Sequence, residues 1–484
     1  MARAITSTVE VANRGENATL CNRGRGMTAM TGRPKNQHLA LWIAATGLSH
    51  GEIARRIAAA AKAEGHRQVA PDTTRVRRWV DGERPRPPVP SLLAGVISDA
   101  VGQPLTPGDL GLTAAGPTLD SIQLPLLTEA AARTLAGWTQ MDLFVDRRDT
   151  LKLALGAPLV LAAERMLGGT ARRMTRTTRG FDADTTAALE EVTAFFAKAD
   201  ASKGGGLYRS AIVAQLAEVA RRIEEGVPLS LKARVFAATA DLAALAGWVS
   251  HDCGRYPTAQ RYWSYGIYAA SEAGQPDRGV EIVTRMSHQM IYLGHPDDAL
   301  GLLGVAAKKA TIPATRALVA SQTGRVHAAL GDERNAARHL DTADELVAQG
   351  LGDAPAWVDY FDGAEHAGAR AVSARDLAGL LGKEQPASAH FSDALRLRRD
   401  GFDRVKVMDR IGLAAALFTE GEPDLGAAAA HHALDDAIRV DSTLVTSRLN
   451  TLLSAAGRYR TGTVDEVRAR AADLAATRPT PVAA

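Results

Sequence analysis

One spacing recurs through the second half of this 484-residue chain and constrains its fold more than any single residue does. A glycine is followed five residues later by a small side chain and nine later by an apolar one. The series runs Gly254, Ala259, Trp263; Gly294, Ala299, Leu303; Gly331, Ala336, Leu340; Gly382, Ala387, Phe391; and Gly421, Gly426, Ala430. Successive glycines lie 40, 37, 51 and 39 residues apart. Glycine adopts the left-handed backbone at a helix end without a Cβ penalty. A small residue five positions on lets the next helix pack closely against the one just ended. The chain is therefore expected to fold into successive helix pairs, with one insertion or degenerate unit in the 51-residue interval.

Composition agrees with packed helices: 46% of residues are hydrophobic but only 5% aromatic. Units of this length and pattern are tetratricopeptide-like, a class whose nominal period is about 34 residues. Such arrays stack into a curved solenoid whose concave face takes a peptide, a protein or a second subunit. An irregular helical bundle is the alternative. The densest aromatic cluster is Tyr256, Tyr262, Trp263, Tyr265 and Tyr268, with Trp248 just upstream on the first helix of a unit. Repeat packing is the first reading of these rings. Lining a ligand or partner groove is the second, for Trp248, Tyr256, Tyr262, Trp263 and Tyr265.

A different pattern marks the N-terminal part. Thr73–Gly82 reads as a short helix with Val76, Trp79 and Val80 on one side and Thr74, Arg77 and Arg78 on the other, Arg75 flanking. Pro71 suits the first helical position, Asp72 the positive helix end and Gly82 the stop. Before it, Ser49 and Glu52 form a capping-box pattern opening a helix with Ile53, Ala54 and Ile57 on one face. Leu39, Trp42 and Ile43 give an earlier helix, and Leu92, Leu93, Val96, Ile97 and Val101 a later one. This is a helix-turn-helix pattern, departing from the usual three- or four-residue turn. The second helix is expected to run on to Gly65, with Val69 tucking back into the core.

Charge separates the two parts. Net charge is only +3, yet residues 33–90 hold eleven Arg/Lys against five Asp/Glu, and residues 91–484 are net negative. Positive charge gathered on a small domain is what phosphate binding requires. Thr74, Arg77 and Arg78 are the candidates for the major groove, where arginine pairs bidentately with guanine. Arg55, Arg56, Arg75, Arg84 and Arg86 are the candidates for phosphate contacts. A merely solvated basic helix is the competing reading.

Other motifs carry less. Asp200-Ala201-Ser202-Lys203-Gly204-Gly205-Gly206 lacks the spacing of a phosphate loop and reads as a turn between helices. His251-Asp252-Cys253 are adjacent and cannot converge on one atom as a triad does. His431 and His432 point about 100° apart on a helix and form no metal site. No enzyme, cofactor or metal is expected. Cys21 and Cys253 share no metal or redox spacing, which favours a reducing cytoplasm. Asp146–Lys152 with the apolar stretch that follows mimics a twin-arginine export signal. It lies too far into the chain, and its apolar stretch is too short to span a bilayer, so a packing helix is expected there. Residues 1–32 have no apolar periodicity and read as a disordered extension, with Met27 or Met30 an alternative start. Arg172–Arg179 reads as a solvated connector, with a second DNA-backbone contact as the alternative.

Several stretches together resemble a family of actinobacterial cytoplasmic regulators that join a helix-turn-helix-like domain to a tetratricopeptide-like region. The chain is most similar to the negative regulators of Streptomyces differentiation and antibiotic production. The stretches are Gly47-Leu48-Ser49, Gly51-Glu52-Ile53-Ala54-Arg55, Asp72-Thr73, Arg75-Val76-Arg77-Arg78-Trp79, Asp81-Gly82-Glu83, Pro85-Arg86, Gly204-Gly205-Gly206, Ala246-Gly247-Trp248, Asp252 and Gln260-Arg261-Tyr262. The resemblance implies a role restraining sporulation or secondary metabolism.

The sequence thus sets out an all-α chain. Its parts are a disordered extension at 1–32, a helix-turn-helix domain at 33–112, a helical linker at 113–180, a tetratricopeptide-like repeat domain at 181–476 and a disordered tail at 477–484. The expected function is a DNA-binding transcriptional repressor, homodimeric on double-stranded DNA, whose repeats dimerise or receive a protein, peptide or small-molecule signal. No membrane partner is expected. The alternative is a repeat scaffold that sequesters a protein without sequence-specific DNA binding.

Overall fold

The computed structural model describes residues 36–63, 65–66, 68–101, 105, 107, 110–112, 122, 124, 128–144, 157–167, 180–382 and 387–477. Among them all regular structure is helical, in twenty helices with no strand. The expected extension at 1–32, Cys21, the twin-arginine-like run, the basic segment at 172–179 and the tail beyond Thr477 lie outside the described residues. Two compact units emerge: residues 1–118 with 125–130, and residues 119–124 with 131–484.

The first unit contains α1 (Gln37–Thr46), α2 (His50–Ala63), α3 (Thr73–Val80) and α4 (Val89–Val101). The helices pack α2 on α3 and α4, with α1 closing on α3 and α4. Leu39, Ile53, Ile57, Val76, Leu93 and Ile97 are wholly buried between them, and Trp79 nearly so. Asn36 pins the entry. Its side chain caps α1 by accepting from Leu39 N–H at 3.0 Å, and it donates to the carbonyls of Leu110 and Gly111. Its backbone N–H donates to Val80 O at 2.8 Å, tying the start of α1 to the end of α3.

Boundaries follow the sequence signals with two differences. Asp72, not a position inside the helix, caps α3 by accepting from Arg75 N–H at 2.7 Å, so Pro71 precedes the cap instead of opening the helix. Ser49 accepts from Glu52 N–H at 3.2 Å, but the reciprocal half of the capping box is missing, because Arg55 and Arg56 hold the Glu52 carboxylate. At the far end of α3, Gly82 has φ 97°. Gly82 N–H donates to Trp79 O and Glu83 N–H to Arg78 O, the paired bonds of a Schellman stop.

The second unit begins with α5 (Thr128–Phe144), of which Ala131 onward lies in this unit, and α6 (Ala157–Leu167). It continues with α7 (Ala183–Lys203) and α8 (Arg209–Glu225). Six helical hairpins follow among the described residues: α9 (Lys232–Asp252) with α10 (Tyr256–Glu272), α11 (Pro276–Tyr292) with α12 (Pro296–Ala307), and α13 (Pro313–Ala329) with α14 (Glu333–Ala348). Then come α15 (Gly363–Leu381) with α16 (Ala387–Leu397), α17 (Asp403–Glu420) with α18 (Pro423–Ala437), and α19 (Thr443–Ala456) with α20 (Gly462–Ala476). Each first helix also packs on the first helix of the next hairpin. This is a helical-repeat, solenoid-like arrangement.

The glycine series supplies its register. Gly254, Gly294, Gly331, Gly382 and Gly421 all have positive φ at the end of a first helix. Ala259, Ala299, Ala336 and Ala387 are buried against the helix before, and a Cβ on Gly426 would touch the Phe418 ring. The residues nine positions on, Trp263, Leu303, Leu340, Phe391 and Ala430, are all buried. The long 51-residue interval holds an insertion, residues 349–362, whose Val358 and Phe361 pack against Ala314, Ala317 and Leu318 of α13. The apolar export-like stretch runs from Leu153 to Ala163; its described part, from Ala157 on, lies in α6, which packs on α10, α11 and α12. Among the described residues no helix is long and apolar enough to cross a membrane.

The array also closes on itself. Helix α7 packs against α17, and Arg404 donates to the Asp200 carboxylate at 3.2 Å. Asp441 N–H donates to Lys203 O at 2.8 Å. Ser442 and Thr443 hydroxyls donate to the Asp252 side chain and carbonyl.

Candidate functional site

Helix α3 has two faces because its apolar residues recur at helical spacing. Val76 and Trp79 are locked in the core, which fixes the direction of every other side chain on the helix. Thr74, Arg75, Arg77 and Arg78 are all exposed, as are Arg55 and Arg56 on α2 and Arg84 and Arg86 in the segment after α3. The eight candidates differ in their partners. Arg55 and Arg56 share Glu52 at 2.5 and 3.0 Å, and Arg75 pairs with Glu83 at 2.9 Å. The hydrogen bond from Arg56 and then the Arg55 charge hold the Glu52 carboxyl below its ordinary range. Arg77, Arg78, Arg84 and Arg86 make no ion pair among the described residues.

The long connector takes the form expected of it. Helix α2 runs to Ala63, Gly65 turns the chain with φ 85°, and Val69 packs against the core. Trp79 and Ile57 sit under the exposed arginines, so the basic face rests on a rigid floor.

The aromatic cluster divides differently. Tyr262, Trp263 and Tyr265 are wholly buried and Tyr256 nearly so; these four pack repeats and do not line a groove. The reason is that α10 is a second helix, covered by α9, α11 and α6. Tyr262 O–H donates to Asp142 at 2.7 Å and Trp263 Nε1–H to Ala244 O at 3.1 Å. Trp248 alone of the five is half-buried, on first helix α9.

The adjacent trio His251, Asp252 and Cys253 serves three separate environments. His251 is walled by the rings of Trp248, Tyr256, Trp263, His288 and Tyr292, and burial pushes its imidazole down to about 3. Asp252 receives Ser442 and is pushed up to about 6 by burial. Burial lifts the Cys253 thiol to about 12, leaving it a poor nucleophile.

Residues 39–113 match the family model of the SP15 N-terminal domain. The match spans all four helices of the first unit and every one of its candidate DNA-contacting arginines. No curated protein and no solved structure matches the chain.

Sequence reasoning missed the polar residues of the first repeat helices. His288, Arg325 and Asp376 each lie six residues before a turn glycine, in the register of Trp248, and Arg285 and Gln322 lie nine before one. That shared register was the available signal. Glycine spacing marks helix ends and says nothing of which face a residue takes.

Proposed function

We propose that this chain is a cytoplasmic DNA-binding transcriptional regulator whose first unit reads the operator and whose repeat unit pairs two copies or receives a signal. The carrying observation is the set of exposed, unpaired arginines Arg77, Arg78, Arg84 and Arg86 on and beside a helix whose opposite face is locked by Val76 and Trp79. Thr74, Arg77 and Arg78 enter the major groove, and the remaining arginines meet phosphates. Homodimers on a palindromic site would set two such helices about one DNA turn apart. The resemblance to negative regulators of differentiation and antibiotic production makes repression the direction of the effect. The proposed role is not enzymatic.

Footprinting on promoters recovered by genomic immunoprecipitation tests this reading. Arg78→Ala is expected to relax discrimination at one base pair by about 1–3 kcal/mol; an unchanged footprint refutes the assigned face. A second reading, a scaffold that holds a protein partner, draws on the ion pairs by which Glu52 and Glu83 already neutralise three of the seven candidate arginines. Sharp palindromic peaks favour the regulator. Absence of enrichment with a stoichiometric co-purifying protein favours the scaffold.

A further inference from the structure

The first helices of the hairpins turn a set of cationic side chains toward one another inside the second unit. Trp248 of α9 lies between two guanidinium groups, Arg285 of α11 at 5.5 Å and Arg404 of α17 at 5.2 Å from its ring centre. The His288 ring lies tilted against the same indole at 5.7 Å, and its Nδ1 is 3.3 Å from Nη1 of Arg325 on α13. Arg448 of α19, which packs on α17, and Arg375 of α15, which packs on α13, complete the cluster, and their charges bear on one another and on Arg325.

These cations are unequally compensated. Arg285 pairs with Glu281, Arg404 with Asp200 and Arg375 with Asp376. Arg325 meets His288 and the Gln322 side-chain oxygen at 3.2 Å and makes no ion pair among the described residues, although the Asp376 and Glu365 charges act on it. Arg448 makes no hydrogen bond or ion pair among the described residues. Carboxylates further along the same wall, Glu365 and Asp409, are held by a sixth arginine, Arg398. Arg325 and Arg448 are thus the two arginines of this group without an ion pair among the described residues. Of the carboxylates nearby, Asp200 and Asp409 are pushed upward by burial, Asp409 to about 6, which weakens them as counter-charges.

Unsatisfied polar atoms collect in the same place. Trp248 Nε1, both His251 ring nitrogens, Gln322 Nε2, Arg325 Nε and Arg375 Nη1 are buried without a partner. Each costs free energy unless something meets it. Burial, and then the Arg375 and Arg325 charges, push the Arg448 guanidinium down to about 9. Guanidinium keeps its proton through the physiological range, so the cost stays as repulsion that an anion would relieve. The cluster is also reachable: Arg285 and Arg375 keep 19% and 20% of their side-chain surface, and Trp248, His288, Arg325 and Arg448 are half-buried. The 349–362 insertion closes one side, where Tyr360 O–H donates to Glu281 at 2.8 Å and its ring lies 5.0 Å from Arg285.

We propose that the interior of the repeat unit binds the oxyanion group, phosphate or carboxylate, of a small ligand, with Arg325 and Arg448 as its principal partners. Bidentate pairing of an arginine fork with either group suits this geometry. The site stands whether or not the first unit reads DNA.

Thermal shift and calorimetry on the full chain test it, with sodium pyrophosphate and citrate as probes and sodium chloride matched in ionic strength as reference. At least one probe is expected to raise Tm by several degrees over the reference. Response to pyrophosphate alone assigns a phosphate ligand, response to citrate alone a carboxylate ligand, and response to both a general oxyanion site. Arg448→Met is expected to keep or raise the Tm in chloride, since no partner loses a bond, while weakening the probe at least ten-fold. Arg325→Met supplies the same comparison should the first variant not fold. Trp248→Phe should abolish any change in tryptophan emission on binding. Arg78→Ala should keep the full response, separating this site from the exposed arginines of the first unit. Absence of a shift with both probes, or unchanged affinity in both methionine variants, overturns the proposal.

Discussion

Glu52 governs how much of the basic face is available. It accepts from both Arg55 and Arg56, so a phosphate must compete with an ion pair already made within one turn of α2. Glu52→Gln removes that competition without touching the Ser49 cap, which uses the backbone N–H of residue 52. Duplex-DNA affinity should rise by roughly two- to ten-fold at low salt, with a steeper salt dependence, because two more cations release counterions. Fluorescence anisotropy across a salt series measures both; a flat response would mean that α2 stays off the phosphate backbone. His251 offers a residue-level test of burial. Its folded imidazole takes a proton only near 3, whereas an unfolded one does so near 6.5. Below pH 6.5 the unfolded chain therefore binds the extra proton, and stability falls as pH drops. Asp252, Asp241 and Asp409 act the other way between about 4 and 6, because burial raises them and the folded state holds their protons more tightly. The difference between wild type and His251→Phe isolates the imidazole. Urea melts at pH 8 and pH 5 should show the variant losing less stability on acidification than the wild type does.

Among elements, those with local chemical signals were legible. The turn glycines, the buried alanines after them and the two apolar faces of α2 and α3 all report on neighbours a few residues away. The 51-residue interval announced an insertion, though not that Tyr360 within it would reach Glu281 on α11. The aromatic run on α10 packs repeats, the first of its two readings, because α9, α11 and α6 cover it; ring density alone does not tell a core from a groove. Gly204–Gly206 was read correctly as a turn between α7 and α8, but its partners lie far along the chain. A Cβ on Gly204 would come within 2.3 Å of Asp441 O, and one on Gly205 within 2.6 Å of Val249 Cβ. Only folding brings those atoms together, so no local pattern could report them. Gly205→Ala should therefore cost about 2–4 kcal/mol through overpacking. Gly379→Ala, on the exposed side of α15 with nothing within 4 Å of the added methyl, should instead stabilise by about 1 kcal/mol. Thermal melts of the two variants check the contrast, and equal effects would contradict the close approach.

For the molecule as a whole, closure of the repeat unit changes what truncation does. In an open array, deleting a terminal hairpin removes its own interface and little else. Here, deletion of residues 441–484 strips Lys203 O, the Asp252 carboxylate and Gly206 N–H of the partners that end the first turn of the array. Amide exchange is expected to speed up throughout α7, at the other end of the unit; protection confined to normal values there would show that the closing contacts carry little. The same closure sets a schedule for synthesis. Asp200 and Arg404 are 204 residues apart, which at a ribosome's pace of roughly 5–20 residues per second is a delay of about 10–40 s. Through that interval α7 has its early cover from α9 but not its later one from α17, and the face that carries Asp200 stays exposed on the nascent chain. Slow decoding before residue 404 would lengthen that exposure, so codon choice in the middle repeats bears on yield as directly as the residues they encode.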